Sequence, residues 1–224
     1  MITALVAFLA MRPYDCVRSA PFHPEIHSLG NVGLGGRVHA CLAWPFTRII
    51  DVVAYGSRNV RAEVASKMRK ETDAKYVLEL GCGTGTATHE LVKNGFVVDA
   101  VDTSNHMIEQ ARKRVCRGAT FSVGNAVDAT CFETEVVIAC MLFHELPKTA
   151  HVAILEAMLP AKVLWIVDIS KTYSPSPVML SGEPYLAHFL ESFDDTIRDF
   201  SRRHDVSLET EELVKDHVTL WKLS

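Results

Sequence analysis

The chain has 224 residues, 48% hydrophobic and 22% charged, with a formal net charge of −4. That length suits one α/β domain with an appendage, and the composition is that of an ordinary globular fold with a sizeable core. The slightly acidic balance argues against a broad basic footprint, so no nucleic-acid partner is expected, and no apolar run reaches the roughly 18 residues of a membrane span.

Residues 1–11 are apolar and lead into Arg12-Pro13. The stretch is short and lacks a basic start, so a secretory signal fits poorly. It reads as a buried N-terminal helix or an organelle-targeting leader. The helix is the preferred reading, and with it a cytoplasmic protein; a leader over residues 1–20 would send the chain to an organelle. Residues 30–36 form a glycine-rich turn. Apolar side chains at three- and four-residue spacing then predict helices over 37–55 and 59–70, and residues 1–70 read as an N-terminal helical cap.

From residue 75 the pattern alternates. Strands are predicted over 76–80, 96–102, 120–123, 135–141 and 162–169. Helices are predicted over 86–94, 104–116 and 149–159. Unbroken apolar strands between helices predict a parallel sheet covered on both faces. Residues 172–177 are a loop by composition, 183–203 a helix, and 205–213 with 217–223 a closing pair of strands. The expected fold is α/β: a doubly wound, Rossmann-like, seven-stranded and mostly parallel sheet with an antiparallel C-terminal strand. Residues 71–224 would form the ligand-binding domain, with 172–203 as a lid insertion.

The six cysteines, Cys16, Cys41, Cys82, Cys116, Cys131 and Cys140, are scattered and include no C-x-x-C pair. Reduced thiols and no metal site are expected. The basic run Arg112, Lys113, Arg114 and Arg117 reads as the solvated face of a helix.

The central signal is Glu79-Leu80-Gly81-Cys82-Gly83-Thr84-Gly85-Thr86. It follows an apolar strand and opens a helix, where glycines let the backbone turn sharply and approach a ligand. A dinucleotide fingerprint requires G-x-G-x-x-G. Here the spacing is G-x-G-x-G, and Thr86 stands where the third small residue would be. No lysine follows in P-loop fashion. Glu79 disfavours a pyrophosphate and favours an ammonium or sulfonium. Asp102 ends the second strand about 20 residues on, where a carboxylate can accept from both ribose hydroxyls or simply cap the next helix.

Val77 to Gly85 closely resembles motif I of class I S-adenosylmethionine-dependent methyltransferases. Val101-Asp102-Thr103-Ser104-Asn105-His106-Met107 is similar to the second motif of that family, and Met107 fits its adenine-packing role. Phe121 to Asp128 resembles the third motif, with Asn125 where an aspartate often stands; an amide oxygen can still accept the adenine amino hydrogen. Val136 to Pro147 is similar to the fourth. The resemblance covers residues 75–170. It implies S-adenosyl-L-methionine as cofactor and S-adenosyl-L-homocysteine as product, with Glu79, Gly81, Cys82, Gly83, Gly85, Asp102, Thr103, Met107, Asn125, Ala126 and Cys140 around it. Cys82 is a small filler in the loop.

Residues 140–143 are Cys-Met-Leu-Phe, not an N- or D-P-P-aromatic sequence, which argues against base methylation on nucleic acids. The His144-Glu145-Leu146-Pro147 turn resembles small-molecule methyltransferases. His144 is a candidate base or substrate contact; a structural hydrogen bond at the strand end is the plainer reading. His27, Asn31, Arg37, His39, Asp51 and Tyr55 are the polar set of the cap, and Asp51 and Tyr55 share a helix face at four-residue spacing. His39, Asp51 and Tyr55 join His144 as catalytic candidates. Residues 181–185 form a polar and aromatic turn able to close over substrate. The expected acceptor is a small molecule. The competing readings are an enzyme acting on protein or RNA, a non-catalytic methyltransferase-like protein, and a nucleotide-dependent oxidoreductase.

Overall fold

The computed structural model describes residues 33–129 and 134–224. Residues 1–11, His27 and Asn31 therefore lie outside the described residues. Seven strands, β1 (Tyr76–Leu80), β2 (Val97–Asp102), β3 (Ala119–Val123), β4 (Val136–Cys140), β5 (Val163–Ile169), β6 (Leu208–Val214) and β7 (Val218–Leu223), form one sheet in the order β3-β2-β1-β4-β5-β7-β6. The first five pair in parallel, and β7 runs antiparallel to both β5 and β6. Strand order reverses between β1 and β4, which opens a crevice beyond their carboxyl ends.

The helices are α1 (Gly33–Val53), α2 (Val60–Glu71), α3 (Thr86–Lys93), α4 (Asn105–Arg114), α5 (Lys148–Met158), α6 (Pro177–Gly182) and α7 (Leu186–His204). The apolar strands feed two cores because successive side chains point to opposite faces. Val77, Val98, Val136, Ile138 and Trp165 pack with residues of α2, α3 and α4 on one face. Leu78, Leu80, Val137 and Ile166 pack with α5 and α7 on the other. Among the described residues no helix is long and apolar enough to cross a membrane.

Three boundaries differ from the sequence reading. Gly33, Gly35 and Gly36 belong to the first turns of α1, not to a glycine-rich turn before it. Val60, Val64 and Met68 of α2 are fully buried against the sheet. The cap expected over 1–70 therefore reduces, among the described residues, to α1. The stretch 172–203, expected as a lid, divides in two. Residues 172–185 lie outside the core, whereas α7 buries Leu186, Phe189, Phe193, Ile197 and Phe200 at helical spacing. Phe189 stacks on Phe193 at 4.7 Å, and Phe193 meets Trp221 edge-on at 5.3 Å. Each buried ring contributes roughly 1.5–3 kcal/mol, so α7 is structural.

The basic run at the end of α4 is partly engaged. Arg112 donates to the Phe121 carbonyl at 2.8 Å, and Arg114 lies over the Trp44 ring and bonds the Thr84 carbonyl.

Candidate functional site

The loop after β1 is built from glycines that only glycine suits. Gly81, Gly83 and Gly85 have φ of 66°, 51° and 76°. A Cβ on Gly81 would lie 2.6 Å from Leu142 Cδ1, and one on Gly85 would lie 3.1 Å from Ala111 Cβ, whereas one on Gly83 would meet no protein atom within 4 Å. Gly83 therefore presents bare backbone to a cleft of about 800 Å³, near the upper end for small-ligand sites. Gly85 does not line that cleft. It precedes α3 and packs the loop on Ala111 and Phe121.

Asp102 braces the loop from the tip of β2. Its Oδ2 accepts the Gly83 N–H at 2.8 Å and its Oδ1 accepts the Ser104 N–H at 2.8 Å. Each carboxylate oxygen keeps further acceptor capacity, and Asp102 lines the cleft with Thr103 and Met107. Ser104 caps α4 by accepting from Met107 N–H at 3.3 Å, so the capping and ligand-facing roles coexist on one short turn. The Asn125 side-chain oxygen accepts the Val127 N–H at 3.1 Å in a local turn, and Asn125 and Ala126 form the next part of the wall.

Glu79 is buried at the floor and accepts the Thr88 hydroxyl at 2.6 Å. Burial pushes its carboxyl up to about 8, aided by the Asp102 charge and opposed by the Thr88 hydrogen bond. Burial also pushes up the Cys82 thiol, and takes the Cys140 thiol to about 12. Both cysteines line the cleft as small, inert side chains. Beyond Cys140, Met141 has φ of 57°, a left-handed conformation held by its N–H bond to the Val167 carbonyl at 2.7 Å.

His144 sits in a short 3-10 turn, Phe143–Glu145, and lines the cleft. Its Nδ1 lies 2.6 Å from Asp168 Oδ1, so Nδ1–H donates to the carboxylate. Asp168 is fully buried on β5 and also accepts the Phe143 and His144 backbone N–H groups on Oδ2, at 2.8 and 3.3 Å. Burial by itself would lower the imidazole pKa, but the Asp168 charge and hydrogen bond outweigh it and raise it to about 9, with Glu145 and Glu183 adding to the rise. His151 fixes the same turn from α5, its Nε2–H shared by the Phe143 and Leu146 carbonyls at 2.8 and 3.0 Å.

Of the other acceptor-side candidates, His39 and Tyr55 line the cleft. Tyr55 is buried, its hydroxyl pushed up to about 12 by that burial. Asp51 does not line it. Asp51 lies behind the wall and pairs with Arg61 at 3.1 Å. Arg37 is exposed on the outer side of α1. The turn at 181–185 contributes Glu183, and α6 contributes Met179.

Sequence reasoning missed Arg61, Asp168, Tyr173 and His217, which all belong to this site or its support. Asp168 left a trace, a lone carboxylate within the apolar strand Trp165-Ile166-Val167-Asp168-Ile169. Arg61 left none, since a basic residue in an early helical turn looks like any surface arginine.

A family model described as "Methyltransferase domain" matches residues 77–161. The magnesium-protoporphyrin O-methyltransferase of Rhodobacter capsulatus is 28% identical over 155 residues, covering 60% of this chain and 69% of that protein. Among solved structures, magnesium protoporphyrin IX methyltransferase from Synechocystis PCC 6803 with bound S-adenosylmethionine superposes with a TM-score of 0.63 at 14% identity, over 92% of this chain and 99% of that one. A small RNA methyltransferase superposes with a TM-score of 0.58 at 16% identity, over 73% of this chain and 24% of that one. The glycine loop, open to a ligand at Gly83 and braced by Asp102, has a donor and acceptor set that fits an adenosyl sulfonium, and over residues 77–161 the chain carries a methyltransferase domain similar to those of the class I S-adenosylmethionine-dependent methyltransferases.

Proposed function

We propose that the chain methylates a small-molecule acceptor whose nucleophile is an ionised oxygen, seated between α1 and His144. The observation that carries this reading is the His144–Asp168 pair on the cleft wall. With its pKa raised to about 9, His144 is an imidazolium at neutral pH. Nδ1–H is committed to Asp168, which leaves Nε2–H, 4.0 Å from Glu145 Oε1, as the ring donor available to a ligand. A positively charged donor attracts a carboxylate or phenolate and repels an ammonium.

The cofactor, when bound, supplies a methyl group already activated on a sulfonium. The chain's own task is then alignment and exclusion of water. Gly83, Asp102, Met107 and Asn125 are placed to hold the adenosyl end. His39 on α1 and Tyr55 just beyond its end offer one wall to the acceptor, and Tyr173, Met179 and Glu183 line the cleft from residues 172–185. His144 orients the acceptor oxygen and keeps it anionic. An acceptor that arrives ionised has no proton to lose, so no general base is required.

The similarity to a magnesium-protoporphyrin O-methyltransferase supports an oxygen nucleophile on a small molecule. The fold likeness also runs further along this chain for the porphyrin enzyme, at 92%, than for the RNA enzyme, at 73%.

Two measurements test the reading. S-adenosylhomocysteine should raise the thermal midpoint, NAD should not, and Asp102→Ala should remove most of the shift, because a ligand that binds only the native state stabilises it by mass action. A screen of carboxylate, phenol, amine and thiol acceptors with labelled methyl donor should then label the oxygen acids first. Label appearing only on added RNA or protein would sink the small-molecule assignment.

A further inference from the structure

The outer face of α1 is apolar and belongs to neither core nor cleft. Leu34, Val38, Leu42, Pro45, Ile49 and Val52 follow one another at three- and four-residue steps, which puts them on one side of the helix. Apart from Pro45 they are all exposed, from 41% at Leu42 to 78% at Leu34. The opposite side carries Ala40 and Asp51, both buried. The helix has 21 residues, so the strip runs along a rod about 30 Å long. Single apolar side chains on a surface are ordinary, but a continuous strip of this length marks a contact surface. Phe46 and Ile50, also exposed, carry it round into the cleft wall.

The charges beside the strip narrow what it meets. Arg37, Trp44 and Arg48 share a neighbouring face of α1 at seven- and four-residue steps, and both arginines are exposed. The one acid of α1, Asp51, pairs with Arg61. Trp44 is half exposed, with the Arg114 guanidinium 5.4 Å from its ring centre. Arg114 brings with it the basic end of α4, where Arg112, Lys113 and Arg117 are exposed; the one acid of α4, Glu109, stands a turn before Lys113. In a chain of net charge −4, cations thus gather along one flank of an apolar strip. An apolar face, an aromatic ring at its border and basic side chains beside it are what a helix needs to lie in the headgroup region of an anionic bilayer. A second copy of the chain would leave these cations without counterions, whereas lipid phosphates supply them. A single convex helix also offers no groove for a peptide.

We propose that the chain docks on anionic phospholipid surfaces through α1. The strip enters the headgroup boundary, and Arg37, Arg48 and the basic end of α4 meet lipid phosphates. This is docking on a surface and not a span: α1 holds two arginines and an aspartate, and among the described residues no helix is long and apolar enough to cross a membrane. Docking sets the cleft wall at Phe46 and Ile50 beside the acyl layer. The proposal does not depend on which acceptor is methylated.

The test uses the full chain with vesicles of phosphatidylcholine alone or of phosphatidylcholine mixed with phosphatidylglycerol, and partition is read by co-sedimentation. Trp165 and Trp221 are buried, so Trp44 reports the contact, and its emission should move to shorter wavelength with the anionic vesicles. Leu42→Ser combined with Ile49→Ser should lower partition at least about tenfold. Arg37→Gln and Arg48→Gln should each lower it about fivefold on anionic vesicles and leave the weak binding to neutral ones unchanged. None of these side chains lines the cleft, so the thermal midpoint and its response to S-adenosylhomocysteine should match the wild type. If the paired serine variant does not fold, Leu34→Ser with Val52→Ser, at the two ends of the strip, gives the same reading. A wild-type chain that ignores anionic vesicles overturns the proposal. So do strip variants that partition as well as the wild type, the result if residues 1–11 carried the binding. A wild-type dimer that the strip variants dissolve, with no vesicle binding, overturns it in favour of a second copy.

Discussion

The His144–Asp168 pair makes stability depend on pH in a direction and amount that the structure sets. The imidazole pKa rises from 6.5 to about 9 on folding. A basic group held more tightly in the folded state stabilises it fully below the unfolded pKa near 6.5, and this is lost as pH climbs past about 9. At about 1.36 kcal/mol per pKa unit, the stabilisation lost between about pH 6 and about pH 9.5 is about 3 kcal/mol. Glu79 slopes the same way at lower pH: its carboxyl is raised to about 8, so its contribution is present below 4.5 and gone above about 8. The wild-type slope therefore contains both groups, and a variant is needed to separate them. Asp168→Asn removes the charge that raises His144 and leaves Glu79 untouched. It also sets an amide N–H against one of the donors of Phe143, His144 or Ile169 that Asp168 now accepts. Urea denaturation at about pH 6 should show Asp168→Asn less stable by about 3–5 kcal/mol, with a shallower loss on going to about pH 9.5. His144→Gln should flatten the same part of the slope. Parallel pH profiles for wild type and Asp168→Asn would refute the electrostatic account of the pair, and with it the charged-donor role assigned to His144.

Two further outcomes follow from the loop and the thiols. Gly81→Ala places a methyl 2.6 Å from Leu142 Cδ1 at φ of 66°, and should destabilise by about 2–4 kcal/mol. Gly83→Ala, with open space around its Cβ, should cost only about 1–2 kcal/mol of backbone strain yet weaken S-adenosylhomocysteine at least about tenfold, as calorimetry beside thermal melts would show. With an aromatic disulfide reagent near neutral pH, the exposed Cys41 and Cys116 should react well before the buried Cys82 and the Cys140 thiol held near 12. Peptide mapping that finds Cys140 modified as fast as Cys41 would contradict that raised thiol.

The legible part of this protein is the part where backbone geometry and sequence are the same thing. Glycines at 81, 83 and 85 behind an apolar strand demand positive φ, and a carboxylate about 20 residues on ends the neighbouring parallel strand. These local constraints also mark out the strands and their alternation with helices, since each is a short apolar run closed by a turn. What the sequence did not disclose is pairing across distance. Asp168 reaches His144 only because β4 and β5 run parallel in adjacent register, with Cys140 opposite Val167. Arg61 reaches the cleft only because α2 packs on the sheet through Val60, Val64 and Met68. The helix over 186–204 was misread as a lid for a related reason: a stripe of five apolar residues says that one face is buried, not what buries it.

The distribution of charge gives the two ligands opposite demands on one cleft. The cofactor brings a sulfonium, and His144 already supplies a positive charge on the same wall. Two cations sharing a cleft of reduced dielectric repel, so bound cofactor alone leaves an electrostatic penalty that the Asp102 carboxylate offsets only in part, since Glu79, raised to about 8, is mostly protonated at neutral pH. On the reading proposed above, an anionic acceptor oxygen arriving between the two cations is attracted by both. The free energy of that attraction belongs to the ternary complex and to neither binary one, which makes each ligand tighten the other's binding by the same factor. In the transition state the two charges that attract are being neutralised as the methyl moves. The imidazolium must therefore hold the anion close without stabilising its charge so strongly that transfer is penalised. A donor already shared with Asp168 on its other ring nitrogen meets that requirement, because the paired carboxylate moderates the charge that the acceptor oxygen meets.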